Sequence, residues 1–254
     1  EKYLDNFPAG QHVAQAYFYN AESYRAIGKK EKACDYYALV QGRADAGSFA
    51  EPALLNYASL SYSLEHYADA YKGYDALLNT AKLEDNVFAA KLGRMRSAFR
   101  AKDYANAIGA ATLVFKDDRT NAAIARESEY VKAKSFLATS HREEAFDILE
   151  ALAKSPATDE GAEASYLIIQ DTFDRGRFDE VEGLVYKFSG KAEGQSYWLA
   201  KAFIVLGDSF VEKGNVPQAK ATFESVLNGY VPAADADDVL ENVRMRLQKL
   251  SEMK

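Results

Sequence analysis

The sequence predicts an all-α protein built as an array of repeated helix pairs, an α-solenoid, and two observations support this. A small or apolar residue recurs at gaps of 37, 37, 38, 36 and 38 residues. The recurring residues are Ala33, Ala70, Ala107, Ala145, Val181 and Ala219. Apolar residues stand four and seven positions after each of them, which is the spacing of one helix face. Such arrays form extended binding surfaces rather than catalytic cavities.

Each unit is predicted to be a helix, a short turn and a second helix. Twelve positions before the recurring residue, another mostly small or apolar set appears: Ala21, Ala58, Met95, Ala133, Ile169 and Gly207. A turn lies between the two sets in every unit. Three turns contain Gly28, Gly176 or Gly214, which suits a left-handed helix C-terminus. The other three have no glycine at this point, so either the turn tolerates other residues or those residues are strained.

The predicted helices follow the chain in order. The six pairs are 12–27 with 30–41, 52–64 with 67–80, 86–101 with 104–116, 121–138 with 142–154, 161–175 with 178–189, and 195–213 with 216–229. A last helix over about 235–252 places Leu240, Val243, Leu247 and Leu250 on one face. We expect it to cap the open end of the array, because an end unit must present a polar outer face.

Composition agrees with this fold and excludes several classes of protein. The chain has 254 residues, 48% of them hydrophobic, and only five prolines, which suits long helices. A net charge of −7 argues against non-specific nucleic-acid binding, which needs clustered Lys and Arg. The single cysteine allows no intrachain disulfide. No apolar run approaches the roughly 18 residues of a membrane span.

The repeat residues resemble those of the tetratricopeptide repeat family. The last unit matches best, through Phe203, Leu206, Gly207, Phe210, Gly214, Ala219, Phe223 and Val226. The first matches through Tyr17, Ala21, Tyr24, Gly28, Ala33, Tyr37 and Val40. The third and fourth units depart from the pattern, with Lys91 and Glu129 where a large apolar residue is usual. The resemblance implies a right-handed α-solenoid of about six stacked pairs plus a C-terminal capping helix.

Domain organisation follows from the same alignment. Residues 1–10 are predicted to be the tail of a preceding repeat, because Asp5, Asn6, Phe7 and Pro8 look like the closing turn of one. The six repeats are predicted at 11–46, 50–84, 85–120, 121–158, 160–192 and 194–232, with the capping helix at 233–254. We therefore expect the chain to be the last part of a longer array.

The resemblance also implies a compartment, through the length of the units. They exceed the family's usual period of about 34 residues. In this they resemble bacterial cell-envelope repeat proteins of the outer-membrane-assembly and division-coordinator type. This favours the periplasm or the outer membrane surface, with the cytoplasm as the alternative.

The resemblance also implies that the first helix of each pair lines a concave face. Its inward positions interleave rings with single charges, which suits an extended peptide or a partner helix. The predicted partner-binding residues are Phe18, Arg25, Tyr62, Arg96, Phe99, Tyr130, Lys134, Tyr166 and Phe173. The alternative is that rings such as Phe99, Tyr166 and Phe173 are core, and that Arg96 and Lys134 are isolated charges on the surface.

One well-known use of the family is not predicted here. Many of its members grip a peptide C-terminal carboxylate with a clamp of Lys, Asn and Arg. The position where that clamp begins holds Phe18 and Glu22. A carboxylate would meet a negative charge there, so a receptor of that type is excluded.

No catalytic, metal or cofactor site is predicted. His12, His66 and His141 lie on different units, and Cys34 is predicted to be a small buried residue. The leading hypothesis is a scaffold that binds a protein or peptide. The alternative is a structural spacer or self-association segment of a longer repeat protein. A glycan-acting helical toroid ranks last, because acids such as Glu143 and Glu144 fall at turns and helix starts.

Overall fold

The protein is helical throughout the part of the chain that its computed structural model describes, residues 2–232 and 237–252. Every regular element in these ranges is an α-helix, apart from one short 3₁₀ turn at Gly47–Phe49. The all-α repeat fold predicted from the sequence is therefore confirmed. Positions 235 and 236, where the last helix was expected to begin, lie outside the described residues.

The chain divides into two compact units, residues 1–141 and residues 142–254. Unit 1 contains α1 Lys2–Asn6, α2 Val13–Ala26, α3 Lys30–Ala38, α4 Ala50–Ser63, α5 Tyr67–Thr80, α6 Glu84–Arg100, α7 Tyr104–Phe115 and α8 Ala122–Ala138. Unit 2 contains α9 Arg142–Leu152, α10 Asp159–Asp174, α11 Phe178–Ser189, α12 Ser196–Glu212, α13 Val216–Gly229 and α14 Val239–Glu252. The twelve paired helices begin and end within three residues of their predicted bounds. The division falls inside the fourth predicted pair, which the repeat pattern did not indicate.

The recurring small residues form the centre of the core in each repeat. All six have no exposed surface, and neither do Ala21, Ala58, Met95 and Ala133 on the first helices. Gly207 shows why the residues must be small: a Cβ there would lie 2.3 Å from a ring carbon of Phe223. The two helices of a pair thus approach so closely that a larger side chain would overlap its neighbour.

Each of the six turns within the predicted pairs has one residue in the left-handed backbone conformation, at the same position of the turn. Gly28, Gly176 and Gly214 have φ between 72° and 74°, and the residues at the equivalent place in the other turns have φ between 60° and 63°. These are Glu65, Lys102 and Ser140. At each turn two backbone hydrogen bonds close the helix end; for example, the amide of Asp103 donates to the carbonyl of Ala98 at 2.9 Å. Of the two sequence alternatives, strain is therefore correct.

The departure from the family pattern at Lys91 has a structural explanation. Lys91 Nζ lies 2.7 Å from Asp117 Oδ2, and the Asp117 side chain is only 13% exposed. An ion pair thus occupies the place that a large apolar side chain takes in other units. Asp117 is therefore held against Lys91 rather than exposed to solvent in the loop after α7.

The left-handed turns give a first prediction. Lys102→Gly should raise the free energy of unfolding by about 1 kcal/mol, and Gly214→Ala should lower it by a similar amount. Gly109, which is exposed within α7 and has open space at its Cβ position, provides the control. Gly109→Ala should stabilise the protein through helix propensity. Urea denaturation measures all three; equal effects of both Gly→Ala changes would contradict the assignment.

The Lys91–Asp117 pair gives a prediction for pH. The hydrogen bond from Lys91 holds the pKa of Asp117 below its usual value. The pair therefore stabilises the fold above the unfolded-state pKa of about 4, and this contribution is lost as the pH falls through the folded-state pKa. Between neutral and acidic pH, the wild type should lose more stability than Asp117→Asn. Asp118→Asn, an exposed control, should follow the wild type in urea titrations at each pH.

Candidate functional site

The nine predicted partner-binding residues divide between the two units. Seven lie on α2, α4, α6 and α8 of unit 1, and Tyr166 and Phe173 lie on α10 of unit 2. Arg25 is exposed, and the other eight are half-buried. The rings among them are thus neither fully core nor free on the surface; one side of each packs while another side remains accessible.

On α2, a hydrogen-bonded network fixes the predicted charges. The carboxylate of Glu22 accepts hydrogen bonds from the Tyr37 hydroxyl, from Asn56 Nδ2 at 3.1 Å and from Arg25 Nη2 at 2.7 Å. Burial raises the pKa of Glu22, but the hydrogen bonds from Tyr37 and Arg25 outweigh it and hold the pKa below its usual value. Glu22 therefore stays ionised and orients Arg25.

Phe18 lies beside this network and belongs partly to the core. Its ring centroid is 5.8 Å from that of Tyr37, edge-on, and 5.2 Å from that of Phe49. Such ring pairs stabilise a fold beyond the area that they bury. The accessible edge of Phe18 is thus held in one position before any partner binds.

Between α4, α6 and α8, the structure brings Tyr62 and Arg96 together with Glu127. Arg96 Nε and Nη2 donate to the two carboxylate oxygens of Glu127 at 2.6 and 2.7 Å. Burial raises the pKa of Tyr62, although the neighbouring guanidinium groups of Arg100 and Arg96 oppose this. The alternative that Arg96 is an isolated surface charge is therefore wrong. Its guanidinium group already binds a carboxylate through two parallel hydrogen bonds, the geometry that Arg favours.

The remaining residues of unit 1 combine packing with exposure. Phe99 packs against the cluster around Met95 and Ala98, and its ring centroid lies 6.4 Å from that of Tyr104. On α8, Lys134 Nζ lies 5.9 Å from the ring centroid of Tyr130, within cation–π range.

In unit 2, Tyr166 forms part of a cluster of rings around Lys201. The ammonium nitrogen of Lys201 lies 5.4, 5.3 and 5.9 Å from the ring centroids of Tyr166, Tyr197 and Trp198. The cluster opens on a cleft of about 150 Å³. The cleft is lined by Tyr166, Gln170, Lys201, Ile204, Val205, Asp238, Val239, Asn242 and Arg246.

The charges of this cleft, which we call the Lys201 cleft, are balanced within the protein. Arg246 Nε and Nη2 donate to the carboxylate of Asp208 at 2.7 and 2.8 Å. Lys201 donates to the Tyr197 hydroxyl at 3.3 Å and lies 4.0 Å from Asp238. Burial lowers the pKa of Lys201, but these oxygens outweigh burial and hold it above the usual value. Lys201 therefore remains a cation, and its position over the rings is fixed.

Phe173 lies outside the Lys201 cleft. Its ring packs on Phe178 near the turn between α10 and α11, with centroids 5.2 Å apart. On the same helix, the Tyr166 hydroxyl donates to Gln170 at 3.3 Å, and Gln170 donates to Asp174 at 2.8 Å. Phe173 therefore contributes to packing at this turn.

Sequence reasoning missed most of the Lys201 cleft, although two signals were present. Tyr197 and Lys201 are four residues apart on one helix, so they share a face. Arg246 follows Asp208 by 38 residues, which is one repeat period. The Arg246 guanidinium joins α14 to α12 through Asp208.

The histidines and the cysteine of the described residues lie apart from one another. His12, His66 and His141 are exposed, and Cys34 is buried with its Sγ 3.2 Å from Ser61 Oγ. Within residues 2–232 and 237–252, no group of three or more His, Cys, Asp or Glu side chains could hold a metal ion. Nor has any helix there the length and apolarity needed to cross a membrane.

Comparison with known proteins supports the inferred family resemblance. Residues 15–43, which include most of α2 and all of α3, match the tetratricopeptide repeat family. The chain is also similar to the crystal structure, at 2.39 Å resolution, of a tetratricopeptide repeat protein from Parabacteroides merdae ATCC 43184. That match has 15% sequence identity and a TM-score of 0.45, and covers 95% of this chain and 88% of the other. No curated protein matches the chain.

The match to residues 15–43 confirms the resemblance to tetratricopeptide repeat proteins on the first repeat, where Tyr17, Ala21, Gly28 and Ala33 carry it. The narrower likeness to cell-envelope repeat proteins stays a prediction.

The Asp208–Arg246 pair gives a prediction for stability. A double-mutant cycle of Asp208→Asn and Arg246→Gln should give a coupling energy of about 1 kcal/mol or more, because both side chains are mostly covered and share three hydrogen bonds. The same cycle on the exposed pair Lys220–Glu224 should give at most about 0.5 kcal/mol. Similar coupling in both cycles would show that Arg246 has no special role in fixing α14.

Proposed function

We propose that the protein is a scaffold that binds a peptide, or an extended segment of a protein, along the predicted concave face of its first helices. Tetratricopeptide repeats generally mediate protein–protein interaction, and they are typically scaffolds rather than enzymes. The Lys201 cleft carries the proposal for this chain, because rings, a cation and hydrogen-bonding groups converge there on accessible surface.

The size of the Lys201 cleft favours a peptide over a small molecule. Pockets for drug-sized ligands usually enclose about 300–1,000 Å³. At about 150 Å³, the cleft has room for one side chain of a longer ligand. An extended peptide places one residue against Tyr166 and Lys201 while its backbone continues over the neighbouring surface. Tyr and Trp are the residue types that most often dominate binding energy at protein interfaces.

Preorganisation supports the same proposal. Lys201, Arg246 and Asp208 are held by hydrogen bonds within the protein, so little side-chain entropy is lost when a ligand binds. The balance of charge around the cleft favours a ligand segment without a large net charge. In unit 1, the Arg96–Glu127 pair and the accessible edge of Tyr62 are arranged in the same manner. We propose that these groups contribute contact area and orientation rather than an uncompensated charge.

Selection of displayed peptides on the whole protein tests this function. Peptides that bind should lose at least about tenfold in affinity with Tyr166→Ala and with Lys201→Gln, as expected for residues at an interface centre. Lys220→Ala, on the exposed side of α13, is the matched control and should leave affinity unchanged. Trp198 is the only tryptophan in the sequence, so its fluorescence should shift when the peptide binds.

Unchanged affinity in both cleft variants, with circular dichroism equal to that of the wild type, would contradict the proposed site. Failure to select any peptide, together with concentration-dependent light scattering, would favour the self-association segment instead.

A further inference from the structure

Unit 2 contains a second, larger groove on another face of α10. It encloses about 620 Å³ between α9 and α11, with α10 as its floor. Ser165, Ile168 and Ile169 of α10 line it, whereas Tyr166 and Gln170 of the same helix line the Lys201 cleft. We call it the α9–α11 groove. It is separate from the surface used in the proposed function.

The groove exists because two positions that hold rings one repeat later in the chain hold smaller or polar residues here. Phe203 and Tyr186 occupy these positions between α11 and α13, and their ring centroids are 6.4 Å apart. One repeat earlier, the corresponding residues are Ser165 and Glu150. Ser165 turns its hydroxyl to the Gly161 carbonyl at 2.7 Å, and Glu150 is exposed. The space that Tyr186 and Phe203 occupy one repeat later is therefore open here.

The floor of the groove is apolar and only partly covered. Ile169 and Phe188 are buried, with 1% and 4% of their surface exposed. Ile168 and Leu184 beside them are half-buried, so each presents apolar surface to the groove. On the α9 wall, Ala151 is exposed and too small to cover this floor. Burying such surface is the main source of binding free energy for an apolar side chain.

Charged residues at the rim are arranged by sign. Asp147 and Glu150 stand on the α9 wall, Lys187 on the α11 wall, and Lys154 and Lys191 just beyond the ends of the two helices. All five side chains are exposed, and no ion pair joins any of them to another described residue. The Lys201 cleft differs in this respect, because its charges are paired within the protein. The rim charges of the groove are thus available to a partner.

We propose that the α9–α11 groove binds an amphipathic α-helix of a partner protein, with acidic residues in its first turn and a basic residue about two turns later. Helices joined by short turns run antiparallel, so α9 and α11 run in the same direction. Lys154 and Lys191 therefore lie together at one end of the groove, and Lys187 stands one helical turn before Lys191. The walls from 147 to 154 and from 184 to 191 span about two helical turns. The partner helix therefore places apolar side chains at i, i+3 or i+4 and i+7 on the floor.

The charges also set the direction of the partner helix. Its acidic first turn faces Lys154 and Lys191 and extends to Lys187, and its later basic residue faces Asp147 at the other end. It consequently runs antiparallel to α9 and α11. The positive end of its dipole then meets the negative ends of both wall helices, which favours the same orientation.

A helical peptide library with leucine fixed at i, i+3 and i+7 and with randomised flanks tests the proposal on the whole protein. Selection should enrich acidic residues in the first turn and basic residues two turns later. Ala151→Trp blocks the groove from its wall, and Ser165→Phe fills it from the floor as Phe203 does in the last repeat. Each should lower the affinity of the selected peptides at least about tenfold. Ala221→Trp, at an exposed alanine of α13, is the matched control and should bind as the wild type does.

Charge reversal tests the direction of the helix. Lys187→Glu with Lys191→Glu should weaken binding, and a peptide with its first-turn acids replaced by lysine should recover it. The same reversal at Lys30 in unit 1 should have no effect. Selected peptides that bind Ala151→Trp and Ser165→Phe as well as the wild type would overturn the site. A wild-type dimer that Ala151→Trp abolishes would also overturn it, because the occupant would then be a second copy.

This test is independent of the proposed function. Tyr166→Ala and Lys201→Gln should leave binding to the α9–α11 groove unchanged, since these residues line the Lys201 cleft.

Discussion

The fold depends on the close approach of neighbouring helices at positions where only a small side chain fits. Gly207 receives the ring of Phe223, and a Cβ at Gly93 would lie 2.4 Å from a ring carbon of Tyr74. A small residue on one helix and a large one on the next thus interlock, and the pairing sets how far apart the helices stand. One helix pair cannot bury its apolar face alone, so this contact must recur along the chain.

The turns show that packing outweighs local preference. The same left-handed conformation occurs at Gly214 and at Lys102, although a side chain makes it costly for Lys102. The helices on either side fix where the chain must leave one and enter the other. The backbone therefore adopts the required turn whichever residue stands there, and the strain is offset by the buried contacts of the pair.

Differences between repeats arise at equivalent positions. One position on the first helix holds Phe203 in the last repeat, Lys91 in the third and Ser165 in the fifth. These residues produce a packed ring, an ion pair with Asp117 and an open groove, respectively. The repeated core tolerates different residues at this position because the close helix contact at the small residues stabilises the fold. Single positions are then free to give each repeat its own surface.

The sequence by itself determined the class of structure, the approximate ends of the paired helices and the residues of the core. These follow from a period in the chain, and local spacing is sufficient to recognise it. The candidate sites were predicted less completely. Of the predicted residues in unit 2, Tyr166 lines the Lys201 cleft and Phe173 does not, and the prediction did not include Lys201 and Arg246.

Only the tertiary structure decided which charges are available and where space remains. Arg96 looked free in the sequence, yet Glu127, 31 residues later, engages it with two hydrogen bonds. The α9–α11 groove likewise depends on Ser165 and Glu150 on different helices. Whether a charge is paired or a gap is filled depends on side chains that are distant in the chain, and a periodic pattern carries no information about how those side chains meet.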